Sequence, residues 1–261
     1  MTPRAGVGAA ALAALLCAPG LAFQDAGGQA SISHGGIVRG PAAGRRIAFE
    51  FTGHEYAEGG TVILDELARR GARASFFLTG DFLRTPAFAH LVKRIVAEGH
   101  YLGPHSDKHL LYCDWERRDR TLLTRDAFAR DLDDNLRAIE AFGVSRSAVR
   151  YWVPAYEWYN AEVAGWSASL GLTLVNFTPG TRSNADYTGE ADQNFVPSQR
   201  IYESILARER EDPDGLSGYL LLLHIGAGPG RKDKMHERLG GLLDALSARG
   251  YRFVRVDELL R

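Results

Sequence analysis

The chain predicts an α/β fold in a single domain, a parallel β/α barrel, and three observations lead there. First, one pattern recurs five times: a helical segment ends at glycine and an apolar, β-rich run follows. The instances are ELARRG ending at Gly71, RIVAEG at Gly99, AIEAFG at Gly143, SASLG at Gly171 and LSARG at Gly250. Glycine after a helix takes the left-handed conformation that closes the last turn without a Cβ clash. Second, Tyr219-Leu-Leu-Leu-Leu223 is apolar throughout, as a strand covered on both faces must be. Third, strands and helices alternate along 261 residues, which implies parallel pairing with right-handed crossovers. A doubly wound open sheet is the competing architecture.

Taken in order, Met1–Arg4 supplies positive charge, Ala9–Ala18 is an apolar run, and Gly20-Leu21-Ala22 offers small residues for cleavage. Residues 1–22 therefore read as a secretory signal peptide, and a periplasmic or secreted protein is expected. The apolar run falls short of the roughly 20 residues a membrane span needs, so no span is expected after cleavage. Residues 23–45, rich in Gly, Ala and Ser, read as a linker or loosely packed arm, and 46–261 as the barrel. Strands are expected at Arg46–Phe51, Ala74–Leu78, His100–Gly103, Val149–Val153, Leu172–Phe177, Gly218–His224 and Arg252–Val256. Helices are expected at Gly59–Arg70, Ala87–Glu98, Thr124–Phe142, Asn160–Leu170 and Met235–Arg249. The last carries Leu239, Leu242, Leu243 and Leu246 as one apolar stripe.

Composition is that of an ordinary globular protein, with 45% hydrophobic and 24% charged residues. A net charge of −1 argues against a nucleic-acid or acidic-membrane partner. Beyond the signal only Cys113 remains, so no internal disulfide braces the domain.

In parallel β/α folds, ligands meet the C-terminal strand ends. Four of the eight histidines fall at the exits of expected strands: His54, His105, His109 and His224. His105 and His109 are four apart, and a helical turn after the strand would face both imidazoles the same way, toward one cation. His54-Glu55 offers an adjacent imidazole and carboxylate, able to supply a third ligand and a base in either order. His224 closes an apolar strand and suits a general acid. Tyr156 and Trp158 are candidate sugar platforms, Glu157 can orient substrate or a neighbouring group, and Arg182 and Asp233 are weaker candidates on the same face.

These residues resemble the polysaccharide deacetylases of carbohydrate esterase family four, over about Ile47 to Val256. His105-Ser106-Asp107-Lys108-His109 matches that family's H-S/T-x-x-H metal motif, and Leu220-Leu221-Leu222-Leu223-His224 its late L-x-L-x-H motif. Tyr151-Trp152-Val153-Pro154 is similar to its R-x-P motif but lacks the arginine. Phe51-Thr52-Gly53-His54-Glu55 stands where Phe-Asp-Asp-Gly is expected, which marks a divergent branch. The resemblance implies a distorted (β/α)₇ barrel and a divalent ion, with Zn²⁺ suited to an N/O donor set. It also implies metal-assisted removal of acetyl groups from N-acetylated, or O-acetylated, glycans or peptidoglycan sugars, with His224 protonating the departing amine. By order, and with a turn two residues longer than the family's, His54 takes the base position and Glu55 joins His105 and His109 as ligand; the reverse gives three histidine ligands and Glu55 as base. Two other readings compete: a carbohydrate-binding protein that has lost its base on the same barrel, and a glycoside hydrolase using Glu55 and Glu157.

Overall fold

The computed structural model describes residues 28–261. The expected signal peptide lies outside the described residues. The elements are β1 (Ser31–Ser33), β2 (Gly36–Arg39), β3 (Arg46–Gly53), α1 (Gly60–Arg69), β4 (Ser75–Leu78), α2 (Gly80–Arg84), α3 (Ala89–Ala97), β5 (Tyr101–Pro104), α4 (Arg125–Glu140), β6 (Tyr151–Trp152), α5 (Ala161–Ser169), β7 (Thr173–Leu174), α6 (Ser198–Glu211), β8 (Leu220–His224), α7 (Leu239–Ser247), β9 (Arg252–Phe253) and α8 (Val256–Leu259).

Strands β5-β4-β3-β8 form one parallel sheet, and β9 pairs with the start of β3. A second parallel pair, β6-β7, continues the circuit, joined to β5 by Val153 N–H donating to the Pro104 carbonyl at 3.2 Å. The result is a distorted β/α barrel. Its strands alternate as the pleat requires. Ile47, Phe49 and Phe51 of β3 face outward into the large core shared with the helices. Ala48 faces inward with Phe77, Leu220 and Leu222, forming a smaller core inside the barrel.

The five glycines expected to end helices all have positive φ, between 58° and 85°. The α7 leucines at 239, 242, 243 and 246 are fully buried, each contributing about 1.5–3 kcal/mol by burial. Helix starts are capped by side chains that accept backbone N–H groups: Thr79 at α2, Thr124 at α4 and Asn160 at α5.

Several expectations need correction: β6 and β7 are two residues each, shorter than the expected Val149–Val153 and Leu172–Phe177. The final strand does not reach Val256: it ends at Phe253, and α8 begins where Glu258 accepts the Arg255 N–H. Within the expected arm, residues 31–39 form the β1-β2 hairpin instead of a loose linker. Strand β2 wedges between β7 and β8: Ile37 bridges Val175 in parallel, and Gly40 N–H donates to Gly218 O at 2.7 Å. Arg39 anchors the hairpin with a two-pronged contact to Asp212. Among the described residues no helix is long and apolar enough to cross a membrane.

Candidate active site

A cleft of about 430 Å³ opens at the C-terminal mouth of the barrel. His54, Glu55, His105, His109, Tyr156, Glu157 and His224 line it, seven of the ten residues singled out from sequence.

His105 follows β5 directly. Its Nδ1 lies 3.0 Å from the Val153 carbonyl, which can only accept, so Nδ1 carries the hydrogen and the Nε2 lone pair is left for the cleft. His109 is not brought round by a helical turn as expected. The segment after β5 is a loop in which Ser106 (φ 71°) and His109 (φ 55°) adopt left-handed conformations. Helix α4 holds this loop with two buried side chains one turn apart. Asn135 Oδ1 accepts from His105 N–H, and Asp131 Oδ1 accepts from the backbone N–H groups of Asp107 and Lys108. Tyr112 donates to the other Asp131 oxygen at 2.6 Å.

The His105 and His109 rings stand 5.1 Å apart, and His54 stacks on His109 at 4.6 Å with nearly parallel planes, 9° apart. Burial, with the neighbouring imidazoles, holds His105 well below its usual pKa and His109 down at about 3. Both rings are therefore neutral, as metal-binding imidazoles must be. The donor set suits a zinc-type cation in kind. In the parallel stack, however, the in-plane lone pairs of His54 and His109 cannot meet at one point. Among the described residues no three His, Cys, Asp or Glu side chains stand ready to hold a metal ion. One ring of the stack has to turn before three nitrogens converge.

Glu55 lines the rim but is exposed and, among the described residues, forms no hydrogen bond or ion pair, so of the His54-Glu55 pair only His54 joins the cluster. Thr52 and Gly53 end β3, directly after Phe51, where the resemblance to the Phe-Asp-Asp-Gly motif leads one to expect aspartates. A Cβ at Gly53 would lie 2.6 Å from Ile225 Cγ2 and 2.9 Å from Leu78 Cδ2, so this position has no room for a side chain.

Glu157 Oε1 sits 3.9 Å from His105 Nε2. Burial, reinforced by Asp186, pushes its carboxyl up to about 7 against the opposing pull of His224. Across the cleft His224 Nδ1 pairs with Asp186 Oδ1 at 2.7 Å, and Asp186 Oδ2 accepts the His224 N–H at 2.9 Å. Burial disfavours the imidazolium, but the charge and hydrogen bond of Asp186, with Glu157, outweigh it and raise His224 above its usual pKa.

Sequence reasoning missed Asp186. It lies in the long stretch between β7 and α6, where no periodicity marks it. That stretch is held by Arg231, fully buried, whose guanidinium donates to the carbonyls of Thr188, Val196 and Asp233. Asp233 serves the same scaffold by accepting the Ser198 N–H.

Trp158, like Arg182 and Asp233, does not line the cleft. Arg118 lies over its ring at 4.1 Å and Trp115 stacks on it at 5.4 Å, so its faces are taken. Trp115, 55% exposed, lines the cleft in its place, set edge-on to Tyr156 at 5.6 Å. Tyr187 completes the aromatic rim, 5.1 Å from the His224 ring.

Comparison with known proteins agrees with this architecture. The family model for polysaccharide deacetylase matches residues 48–175, from inside β3 to just past β7. A 30.6 kDa protein of Geobacillus stearothermophilus is 39% identical over 71 residues, 27% of this chain and 23% of that protein. A chitooligosaccharide deacetylase of Rhizobium leguminosarum bv. trifolii is 27% identical over 72% of this chain and 80% of its own. A peptidoglycan-N-acetylglucosamine deacetylase of Listeria monocytogenes is 24% identical over 82% of this chain, which spans 39% of that relative. Among solved structures, a family 4 pseudoenzyme from Bacillus anthracis superposes with TM-score 0.66 at 19% identity, covering 88% of this chain and 70% of that one. A family 4 acetyl xylan esterase from Clostridium thermocellum, in complex with a cobalt ion, gives 0.63 at 19% identity, covering 82% and 89%.

Proposed function

Since the chain belongs to the polysaccharide deacetylase family, we propose that it hydrolyses acetyl groups on N-acetylated sugar units of a glycan outside the cytoplasm, with a divalent cation held by His54, His105 and His109. The observation that carries this reading is the meeting, on one barrel mouth, of three imidazoles within 4.6–5.1 Å and a His224–Asp186 pair across the cleft. An all-imidazole donor set favours Zn²⁺ over harder cations. A bound cation would supply Lewis acidity at the acetyl carbonyl.

The protein's own groups do the rest. Val153 fixes the His105 tautomer and so presents Nε2 to the cleft. Asp186 keeps His224 oriented and favours its protonated form, which can hand a proton to the departing sugar amine. Trp115, Tyr156 and Tyr187 offer apolar faces on which sugar rings stack. The apolar run at Ala9–Ala18 supports export, and acetylated chitooligosaccharides or peptidoglycan strands are the substrate classes the relatives suggest.

The test combines acetate release from N-acetylated chitooligosaccharides and from peptidoglycan with elemental analysis of the purified protein. The wild type should hold about one divalent ion and release acetate, and the His105→Ala, His109→Ala double variant should do neither. One observation favours a second reading, a glycan-binding protein without turnover: Thr52 and Gly53 stand where the family motif carries its aspartates. Saturable binding of these glycans by a metal-loaded wild type that releases no acetate would establish that reading and sink the first.

A further inference from the structure

We propose that Glu157, on the turn after β6, is the carboxylate that takes the proton from the attacking water. The inference rests on the deacetylase reading and deepens it.

Amide hydrolysis needs a proton acceptor at the floor of the cleft. Strand β3 does not provide one: the Thr52 hydroxyl is no base at neutral pH, and Gly53 is walled in by Ile225 and Leu78. The other carboxylates around the mouth are committed or out of reach. Asp186 spends both oxygens on His224. Glu58 accepts from the backbone of Ala227 and Gly228 and pairs with Lys234. Glu55 is exposed at the rim. Glu157 alone, among the described residues lining the cleft, combines a largely buried carboxylate with no hydrogen bond of its own and a position beside a histidine of the cluster, 3.9 Å from His105 Nε2.

The backbone is built to put it there. Tyr156 (φ 60°) and Glu157 (φ 52°) are consecutive left-handed non-glycine residues, a conformation that costs roughly 1–2 kcal/mol each. The turn is clamped by Glu157 N–H donating to Pro154 O at 3.0 Å and by Asn176 Nδ2 donating to Glu157 O at 2.9 Å. With Ser106 and His109, four of the six left-handed non-glycine residues among the described residues lie at this one site. Strain concentrated this way is characteristic of functional geometry.

The step balances. Water oxygen bonds to the acetyl carbonyl carbon as one water proton passes to Glu157. The carbon–nitrogen bond then breaks as the nitrogen takes a proton from His224. The products are acetate and the free amino sugar, and proton exchange with solvent returns Glu157 and His224 to their starting forms.

Glu157→Gln keeps the shape and removes the basicity. On N-acetylated chitooligosaccharides it should lose about 10²-fold or more in kcat, with KM and bound divalent ion unchanged. Glu157→Asp, which keeps a carboxylate one methylene shorter, should retain more rate than Glu157→Gln, and added formate should restore part of the rate to Glu157→Ala. The assignment is overturned if Glu157→Gln stays within threefold of wild type, if the Asp and Gln variants are equally slow, or if Glu157→Gln loses its divalent ion, which would make Glu157 a ligand. In those three cases the deacetylase reading survives. A wild type that releases no acetate overturns that reading, and the assignment with it.

Discussion

Glu50 lies on the inward face of β3, two residues before Thr52, fully buried, and neither carboxyl oxygen has a hydrogen-bond partner among the described residues. Burial, with the charge of Glu157 adding, pushes its pKa from 4.5 up to about 8. The folded state therefore holds a proton that the unfolded chain releases, so stability is fully present below about pH 4.5 and is lost as pH rises toward 8. At about 1.4 kcal/mol per pH unit, the loss amounts to a few kcal/mol. Glu50→Gln removes the titration. Denaturant melts should show the variant gaining on wild type steadily from pH 5 to pH 9, and a gap that does not grow with pH would refute the account. At the site, Asp186→Asn withdraws the charge that raises His224. His224 then loses its proton at lower pH, so the alkaline limb of the pH–rate profile should move down and kcat should fall about tenfold or more. Both limbs unmoved would mean His224 is not the proton donor. The histidines of this site were legible in the sequence because each follows a strand the apolar pattern marks. Asp186 was not legible, because the buried guanidinium of Arg231 fixes its loop through contacts far apart in sequence.

At the scale of elements, the β1-β2 hairpin shows how composition misleads. Glycine-rich sequence reads as linker, yet at Gly36 smallness is the packing requirement. A Cβ there would lie 2.5 Å from Leu174 Cδ2 and 2.8 Å from the Tyr159 ring. Gly36→Ala should destabilise the fold by about 1–3 kcal/mol through overpacking. The contrast is Gly165, inside α5 with nothing within 4 Å of its would-be Cβ. The same substitution there should stabilise by up to about 1 kcal/mol through helix propensity. Thermal melts of the two variants should move in opposite directions. Equal shifts would mean that glycine entropy, and not the β2–β7 fit, governs position 36. Where the sequence pattern was strong, as in the α7 leucines and the five helix-ending glycines, the elements appear as expected. Strands β6, β7 and β9, two residues each, were overextended from sequence, because apolar runs continue past the point where backbone pairing stops.

For the whole molecule, the barrel gathers side chains from distant parts of the chain at one mouth: His54 after β3, His105 and His109 after β5, Glu157 after β6 and His224 at β8. None of these contacts survives unfolding, so a cation bound there binds the native state alone and stabilises it by RT ln(1 + [L]/Kd), about 2.7 kcal/mol at a hundredfold excess over Kd. The rings of His105 and His109 are already neutral near pH 7, so protons compete little for their nitrogens. Three outcomes follow for the intact protein at neutral pH. Dialysis against a chelator should abolish acetate release and lower the melting temperature by several degrees. Adding back Zn²⁺ or Co²⁺ should restore both. The His105→Ala, His109→Ala variant should melt at one temperature whether or not the ion is present. A wild type whose melting temperature ignores both chelator and cation would show that the stack of His54 on His109 does not open. The mouth of the barrel would then act, if at all, through its carboxylate and imidazoles alone.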